Sequence, residues 1–326
     1  MRILSLLYSK NYGRMVYAIC ERVFNFPLPK CIARLIAKFN KKKLRNIDIN
    51  LIMLETYEGS NQAVHPDVLQ WKDKTFLVCT PYPYGNNRCE NPSVYCGDNL
   101  YSLKPACSNP IDYPSSKTAG SILSDPCFFL REDKLFICYR ERIQSKNDVK
   151  YHLHIQSSTD GNNWIDKKTI ISSITKEDPL ISPAIINYNG ADYLYHVRAR
   201  GLGGDIVLSL LTDSFDTKEI GVLECEGLPE GFVIWHIGLH SDQYTKSVAQ
   251  GQKILGLLTV RNGIESRVYK AHQDNPTDCW IIDEQLEISD VVKKYCKEVY
   301  KCSYTPDGKV VLSFFDNQNR LLLTIV

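Results

Sequence analysis

Five short segments of this chain read alike: His65-Pro66-Asp67-Val68, Ser124-Asp125-Pro126-Cys127, Ser182-Pro183-Ala184-Ile185, Trp235-His236-Ile237-Gly238 and Lys301-Cys302-Ser303-Tyr304. They recur roughly every sixty residues, and each opens a strand-like run that a second and usually a third run follow. Repetition on that scale is the signature of an all-β architecture built blade by blade. Five blades would bring all five segments around one axis, so a site there collects one contribution from each. A β-sandwich would explain the short strands but not the period.

The runs carry turn signals between them, such as Thr159-Asp160-Gly161-Asn162, Asn189-Gly190 and Asp307-Gly308, and no helical crossovers. That pattern predicts antiparallel blades of three strands each over residues 51–326, with a helix over Ile288–Glu298 bridging the last two. Residues 1–50 form a separate unit. Apolar residues recur there at three- and four-residue spacings (Leu4, Leu7, Tyr8, Val16, Ile19, Cys20, Val23, then Ile32, Leu35, Ile36, Phe39). Pro27 and Pro29 divide them into two helices. The fold expected is therefore a five-bladed β-propeller behind a short, basic, amphipathic helical arm.

The arm holds one acid, Glu21, in its first 45 residues, against a basic set that includes Lys41-Lys42-Lys43. Such a segment suits peripheral contact with an anionic membrane surface through residues 1–46, or packing on the propeller. Over the whole chain the net charge is only +2, which implies no field for nucleic acid. The twelve cysteines show no C-x-x-C spacing and sit mainly in apolar runs, so free thiols in a reducing, cytoplasmic setting are expected. The start lacks a small-residue cleavage site, and no apolar run is long enough to span a membrane.

In a propeller, the starts of first strands and the ends of second strands share one opening. The first set supplies His65, Asp67, Asp125, Ser182, Trp235, His236 and Lys301; the second supplies Tyr82, Glu90, Arg140, Glu141, Arg142, His196, Arg198 and Arg261. Arg140, Arg198 and Arg261 stand 58 and 63 residues apart, which reads as one arginine per blade at one phase. Guanidinium forks bind carboxylate or phosphate. The ligand expected is an acidic sugar, a sugar phosphate or inorganic phosphate. Asp67, Asp125 and Glu90 are the candidate catalytic carboxylates, since glycosidic cleavage needs a proton donor and a second carboxylate. Turn formation and core packing account for any one of them alone. His65, His196 and His236 would hold a metal if they converged, but nothing in their spacing requires it. Neither metal nor cofactor is expected, and Gly201-Leu202-Gly203-Gly204 reads as a flexible loop, not a phosphate cradle.

On the blade openings, chiefly His65-Pro66-Asp67, Ser124-Asp125-Pro126 and Trp235-His236, the chain from residue 51 onward resembles the five-bladed β-propeller glycosidase-like proteins. These include the arabinanase and xylosidase families, the levanase and invertase families, and the mannoside phosphorylases. The stretch Thr80–Asn87 through Glu90-Asn91-Pro92-Ser93 is similar to a propeller subgroup found with polysaccharide-related or phage proteins. The resemblance implies Asp67 as base or nucleophile, Asp125 as the substrate-orienting carboxylate and a glutamate acid. The third opening, Ser182-Pro183, lacks an acid; Glu90 or Glu141 could substitute, although neither sits where those families place theirs. His65, Tyr82, Arg140, Arg142, Arg198, Arg261, Trp235, His236 and Lys301 would bind substrate. The expected activity is cleavage of an acidic or phosphorylated sugar. Phosphorolysis or glycosyl transfer on the same fold, a non-catalytic glycan-binding propeller and an interaction propeller are the alternatives.

Overall fold

The computed structural model describes residues 12–20, 28–44, 47–146, 148–175, 178–200, 203–243 and 245–326. The expected helix residues Leu4, Leu7, Tyr8 and Val23, together with Gly201 and Leu202, lie outside them.

Five antiparallel blades surround one axis, the third and fourth joined into one sheet by the pairing of Gly204 with Ile234. The innermost strands are Ala63–Trp71, Ile122–Arg131, Ile181–Tyr188, Val233–Ser241 and Cys296–Tyr304, and each touches the next around a closed ring. Every blade runs outward from there in chain order. In blade two, for example, Ile122–Arg131 pairs with Lys134–Gln144, then Val149–Ser158, then Ile165–Ser173. Blade five has only three strands of its own. Its fourth edge comes from the other end of the propeller segment: Leu51 bridges Thr324, and the Ile52 N–H donates to the Leu323 carbonyl at 2.9 Å. This pairing joins the first and last parts of the ring.

Apolar clusters fill the five gaps between neighbouring blades. Leu69, Trp71, Phe76, Leu123, Phe128 and Ile137 pack between blades one and two, and Ile52, Val68, Leu77, Val311 and Leu323 between five and one. The core is thus a ring of wedges, which leaves the axis itself for polar groups.

Fourth strands, absent from the sequence reading, complete blades two to four: Ile165–Ser173, Thr217–Leu223 and Trp280–Gln285. They lie at the rim, mostly exposed, and so lack the apolar alternation that marks a half-buried strand. The expected helix over residues 288–298 shrinks to one turn, Asp290–Lys293, capped by Ser289, because Cys296 already begins the inner strand of blade five. Gly203 and Gly204 belong to a strand and pair with Arg200 and Ala199, which corrects the loop expected there.

Two helices of the arm, Tyr12–Ile19 and Lys30–Leu44, are described. Tyr17, Leu28 and Ala33 pack around Tyr84 of blade one, whose hydroxyl accepts a hydrogen bond from Asn40 Nδ2 at 2.8 Å. Ile32, Leu35 and Phe39 of the longer helix remain exposed. No described helix is long and apolar enough to cross a membrane. All twelve cysteines are free thiols.

Candidate functional site

In each blade the ladder between the inner strand and its neighbour is interrupted at a corresponding point near one end. The residues left out of pairing are His65-Pro66, Asp125-Pro126, Ser182-Pro183, Trp235 and Tyr300-Lys301. The repeated sequence segment is therefore a β-bulge, a device that re-aims a side chain and ends regular pairing. Proline suits the spot because it has no N–H to contribute to a ladder. The residue before each proline takes a left-handed backbone: φ is 56° at His65, 53° at Asp125 and 52° at Ser182. A non-glycine residue there costs on the order of 1–3 kcal/mol, and such strain concentrates at functional sites.

The bulges gather a buried polar floor. Asp125 Oδ1 lies 3.4 Å from His65 Nε2 and 3.4 Å from His236 Nδ1. Together with Asp125, these rings offer ligand atoms that all lie within 4.8 Å of one another. The other oxygen, Oδ2, accepts from Ser124 Oγ at 2.9 Å and from Arg140 at 3.4 Å. Thr80 Oγ1 meets His65 Nδ1 at 3.1 Å and fixes that ring. Lys301 is also buried here, its backbone clasped by Ser313, whose hydroxyl donates to the Lys301 carbonyl and accepts from its N–H. Burial pushes the His65 imidazole down to about 4 and His236 well below its ordinary value, so both rings are neutral at neutral pH. Burial alone would raise Asp125, but His65, His236, Arg140 and Lys301 together hold it well below the usual carboxylate range.

Around this floor stands a half-buried aromatic wall. Tyr300 packs against Trp235 with ring centroids 4.4 Å apart, against His65 at 5.3 Å and against Tyr82 at 5.8 Å. Arg261 covers the Trp235 ring at 4.3 Å. Glu90 comes from the loop after the second strand of blade one. Its carbonyl accepts from the Leu123 N–H at 3.2 Å, and the Tyr57 hydroxyl donates to the adjacent Cys89 carbonyl at 2.9 Å. The carboxyl is buried, and that burial, reinforced by the Asp125 charge, raises it well above the ordinary value despite Arg140.

Several expected site residues go elsewhere. Asp67, expected as base or nucleophile, is saturated: Oδ2 accepts from the Phe128 N–H at 2.7 Å, and Oδ1 from Ser303 Oγ at 2.9 Å and Lys246 Nζ at 3.1 Å. It ties together three segments of the ring. Glu141 accepts from the Ser115 N–H at 2.5 Å and pairs with His154 at 2.7 Å, so both its oxygens are engaged. Arg142 donates to the Gly120 carbonyl and to Gln144. The ring of arginines at one phase does not form. Arg140 pairs across the ladder with Ser124, directly before the bulge, whereas in blades three and four Val197 and Val260 hold that place. Arg198 and Arg261 are one residue out of phase. Arg198 accordingly pairs with Asp178 and Glu219. His196 meets Asp178 at 3.2 Å, so the histidine trio gives way to two histidines and Asp125.

Tyr300 is the main site residue that the sequence repeat leaves out, because it stands one residue before the fifth segment. The signal was present: Tyr300-Lys301 repeats the aromatic–basic order of Trp235-His236. Two clefts, of about 730 and 930 Å3, lie at the opposite ends of the strands, lined by turn residues such as Thr75, Asp307, Glu132 and Gly190. They carry none of the bulge residues.

No protein-family description matches this chain, and no curated protein matches its sequence. Solved structures do match. An N-acetylgalactosamine deacetylase from F. plautii, in complex with blood group B trisaccharide, has a TM-score of 0.66 at 16% identity, covering 82% of this chain and 85% of that one. An endo-1,4-β-xylanase from Bacteroides thetaiotaomicron has a TM-score of 0.57 at 16% identity over 86% and 97%. An α-L-arabinanase from Cellvibrio cellulosa, complexed with arabinohexaose, has 0.55 at 13% identity over 81% and 91%. The fold is that of the five-bladed β-propeller glycoside hydrolases.

Proposed function

We propose that this propeller is a glycan-active enzyme that cleaves a glycosidic bond of an acidic or phosphorylated sugar at the bulge end of its axis. One observation carries this: the buried Glu90 carboxyl lies within electrostatic range of Asp125, Arg140, Tyr82 and Tyr300, and Arg261 covers Trp235 of the same aromatic wall. Tyr82, Trp235 and Tyr300 offer faces on which a sugar ring can stack. Arg140 and Arg261 supply charge for the acidic substituent. Glu90, raised well above its ordinary value by burial, is biased toward the protonated form that suits donation to a leaving oxygen. The fold likeness supports the glycan class, since the neighbours named above are carbohydrate enzymes.

The test is a panel of uronate-containing and phosphorylated oligosaccharides, each beside its neutral counterpart, with and without inorganic phosphate. Free reducing sugar from the anionic members alone, lost in Glu90→Gln, is the expected outcome. Sugar phosphate formed only with added phosphate would instead assign phosphorolysis. Turnover of neutral members alone would remove the arginines from the account.

We further propose that the arm touches anionic membrane surfaces. Ile32, Leu35 and Phe39 are exposed on one helix beside Lys38 and Lys41–Lys43. Co-sedimentation with vesicles containing anionic lipid, weakened by Leu35→Glu with Phe39→Glu, is the expected result; equal sedimentation of the double variant would exclude it.

A further inference from the structure

We propose that His65, Asp125 and His236 form a binding site for one divalent transition-metal ion with zinc-like coordination, at the floor of the opening assigned above to the glycan. The inference deepens that reading, because it names a component of the same site.

The distances carry the argument. An ion bound tetrahedrally with bonds of about 2.0–2.1 Å holds its ligand atoms about 3.3–3.4 Å apart. Asp125 Oδ1 stands 3.4 Å from each imidazole nitrogen. Those contacts do not have hydrogen-bond geometry: among the described residues, Asp125 Oδ1 and both ring nitrogens of His236 have no hydrogen-bond partner. All three side chains are more than nine-tenths buried. Buried polar atoms without partners are rare and call for a reason. A shared cation supplies one for Asp125 Oδ1 and His236 Nδ1 at once.

The supporting contacts follow metal-site practice. A ligating histidine normally has its second nitrogen held, and His65 Nδ1 is held by Thr80. A ligating carboxylate normally has its second oxygen engaged, and Asp125 Oδ2 is engaged by Ser124 and Arg140. Two nitrogens and one oxygen favour zinc, cobalt, nickel or iron over calcium or magnesium, which prefer all-oxygen sets. Three protein ligands leave the fourth position open, as in catalytic zinc sites. Three strained or bulged strand starts, from blades one, two and four, deliver these ligands, which gives the left-handed backbone at His65 and Asp125 a purpose. Lys301 Nζ, buried and also without a hydrogen-bond partner among the described residues, adds positive charge beside Arg140. With a dication present, one carboxylate does not balance that floor. An anionic fourth ligand and an acidic substituent on the substrate would.

The experiment uses the whole chain, stripped with a chelator and dialysed against cobalt(II) or zinc(II). One bound equivalent is expected, with the visible absorption of tetrahedral cobalt. His236→Ala and Asp125→Asn should each lose at least ten-fold in affinity, while His196→Ala keeps the full equivalent. X-ray absorption at the cobalt edge of the unaltered protein, showing imidazole ligation, gives an answer independent of how the variants fold. No bound ion in the unaltered protein, or undiminished binding in His236→Ala, would overturn the proposal. Glu90→Gln separates the two assignments. If it keeps the ion and loses turnover, both stand. Turnover that depends on Glu90 in a protein that binds no ion would sink the metal site alone, and a bound ion without turnover of any glycan would sink the function alone.

Discussion

Asp67 and Asp125 are both buried aspartates near the starts of neighbouring inner strands, and their surroundings differ completely. Asp67 lies just past the bulge of blade one, and both its oxygens are taken up by Phe128, Ser303 and Lys246. Asp125 lies within the bulge of blade two, with one oxygen held and the other facing two imidazoles. The first carboxylate fastens blades to one another. The second stands where strand pairing has been given up, and its Oδ1 has no hydrogen-bond partner among the described residues. In this fold, position relative to the bulge separates scaffold from site, although residue type and burial are the same.

Substitutions can break that contrast. The largest effect is expected on the site side. Glu90→Gln should lower kcat by roughly 10²–10⁴-fold, the usual worth of a general acid, with thermal unfolding unchanged. Because the Glu90 carboxyl is raised, activity of the unaltered protein should persist above the ordinary carboxyl range and fall as pH rises through the raised value. A pH–rate profile without that falling limb would remove Glu90 from the acid role.

On the scaffold side, Asp67→Asn leaves Lys246 buried without its counter-charge. Urea unfolding should show a loss of about 3–5 kcal/mol, the usual cost of breaking a buried pair. The folded fraction should still turn over substrate. If Asp67→Asn is as stable as the unaltered chain but inactive, the assignment of roles is reversed.

Glu141 tests the same idea by pH. Burial raises this carboxyl, but the bonds from His154 and the Ser115 N–H outweigh burial and hold it at about 2. A depressed folded value means a contribution that is complete above about 4.5 and disappears as pH falls toward 2. The stability gap between the unaltered protein and Glu141→Gln should close over that window in denaturant titrations at stepped pH. A gap that stays constant would exclude the pairing. The smallest effect concerns the arm: Asn40→Ala removes one bond to Tyr84 and should cost about 1 kcal/mol, read by the same titrations.

Much of this was legible in the sequence, for definable reasons. The inner and second strands are buried along most of their length, so they read as short apolar runs bounded by turn residues, and the X-Pro pairs at His65, Asp125 and Ser182 mark the bulges. Outer strands such as Thr217–Leu223 are solvated on both faces and carry no such signal. Phase was harder to read. A bulge shifts register by a residue, so counting along the chain put Arg140, Arg198 and Arg261 on one face when their ladder positions differ by one. The role of Asp67 was unreadable for another reason: its partner Lys246 is 179 residues away, in a connection with no pattern of its own. Convergence of His65, Asp125 and His236 likewise depends on three blades closing at one angle, which no local spacing encodes.

The most direct test of the whole account is where an anionic oligosaccharide binds in a crystal of Glu90→Gln. The account requires density at the bulge end of the axis, with a sugar ring against Trp235 and Tyr300, the acidic group on Arg140 or Arg261, and the scissile oxygen beside residue 90. Density confined to the clefts at the opposite ends of the strands, with the bulge end free of sugar, would contradict it.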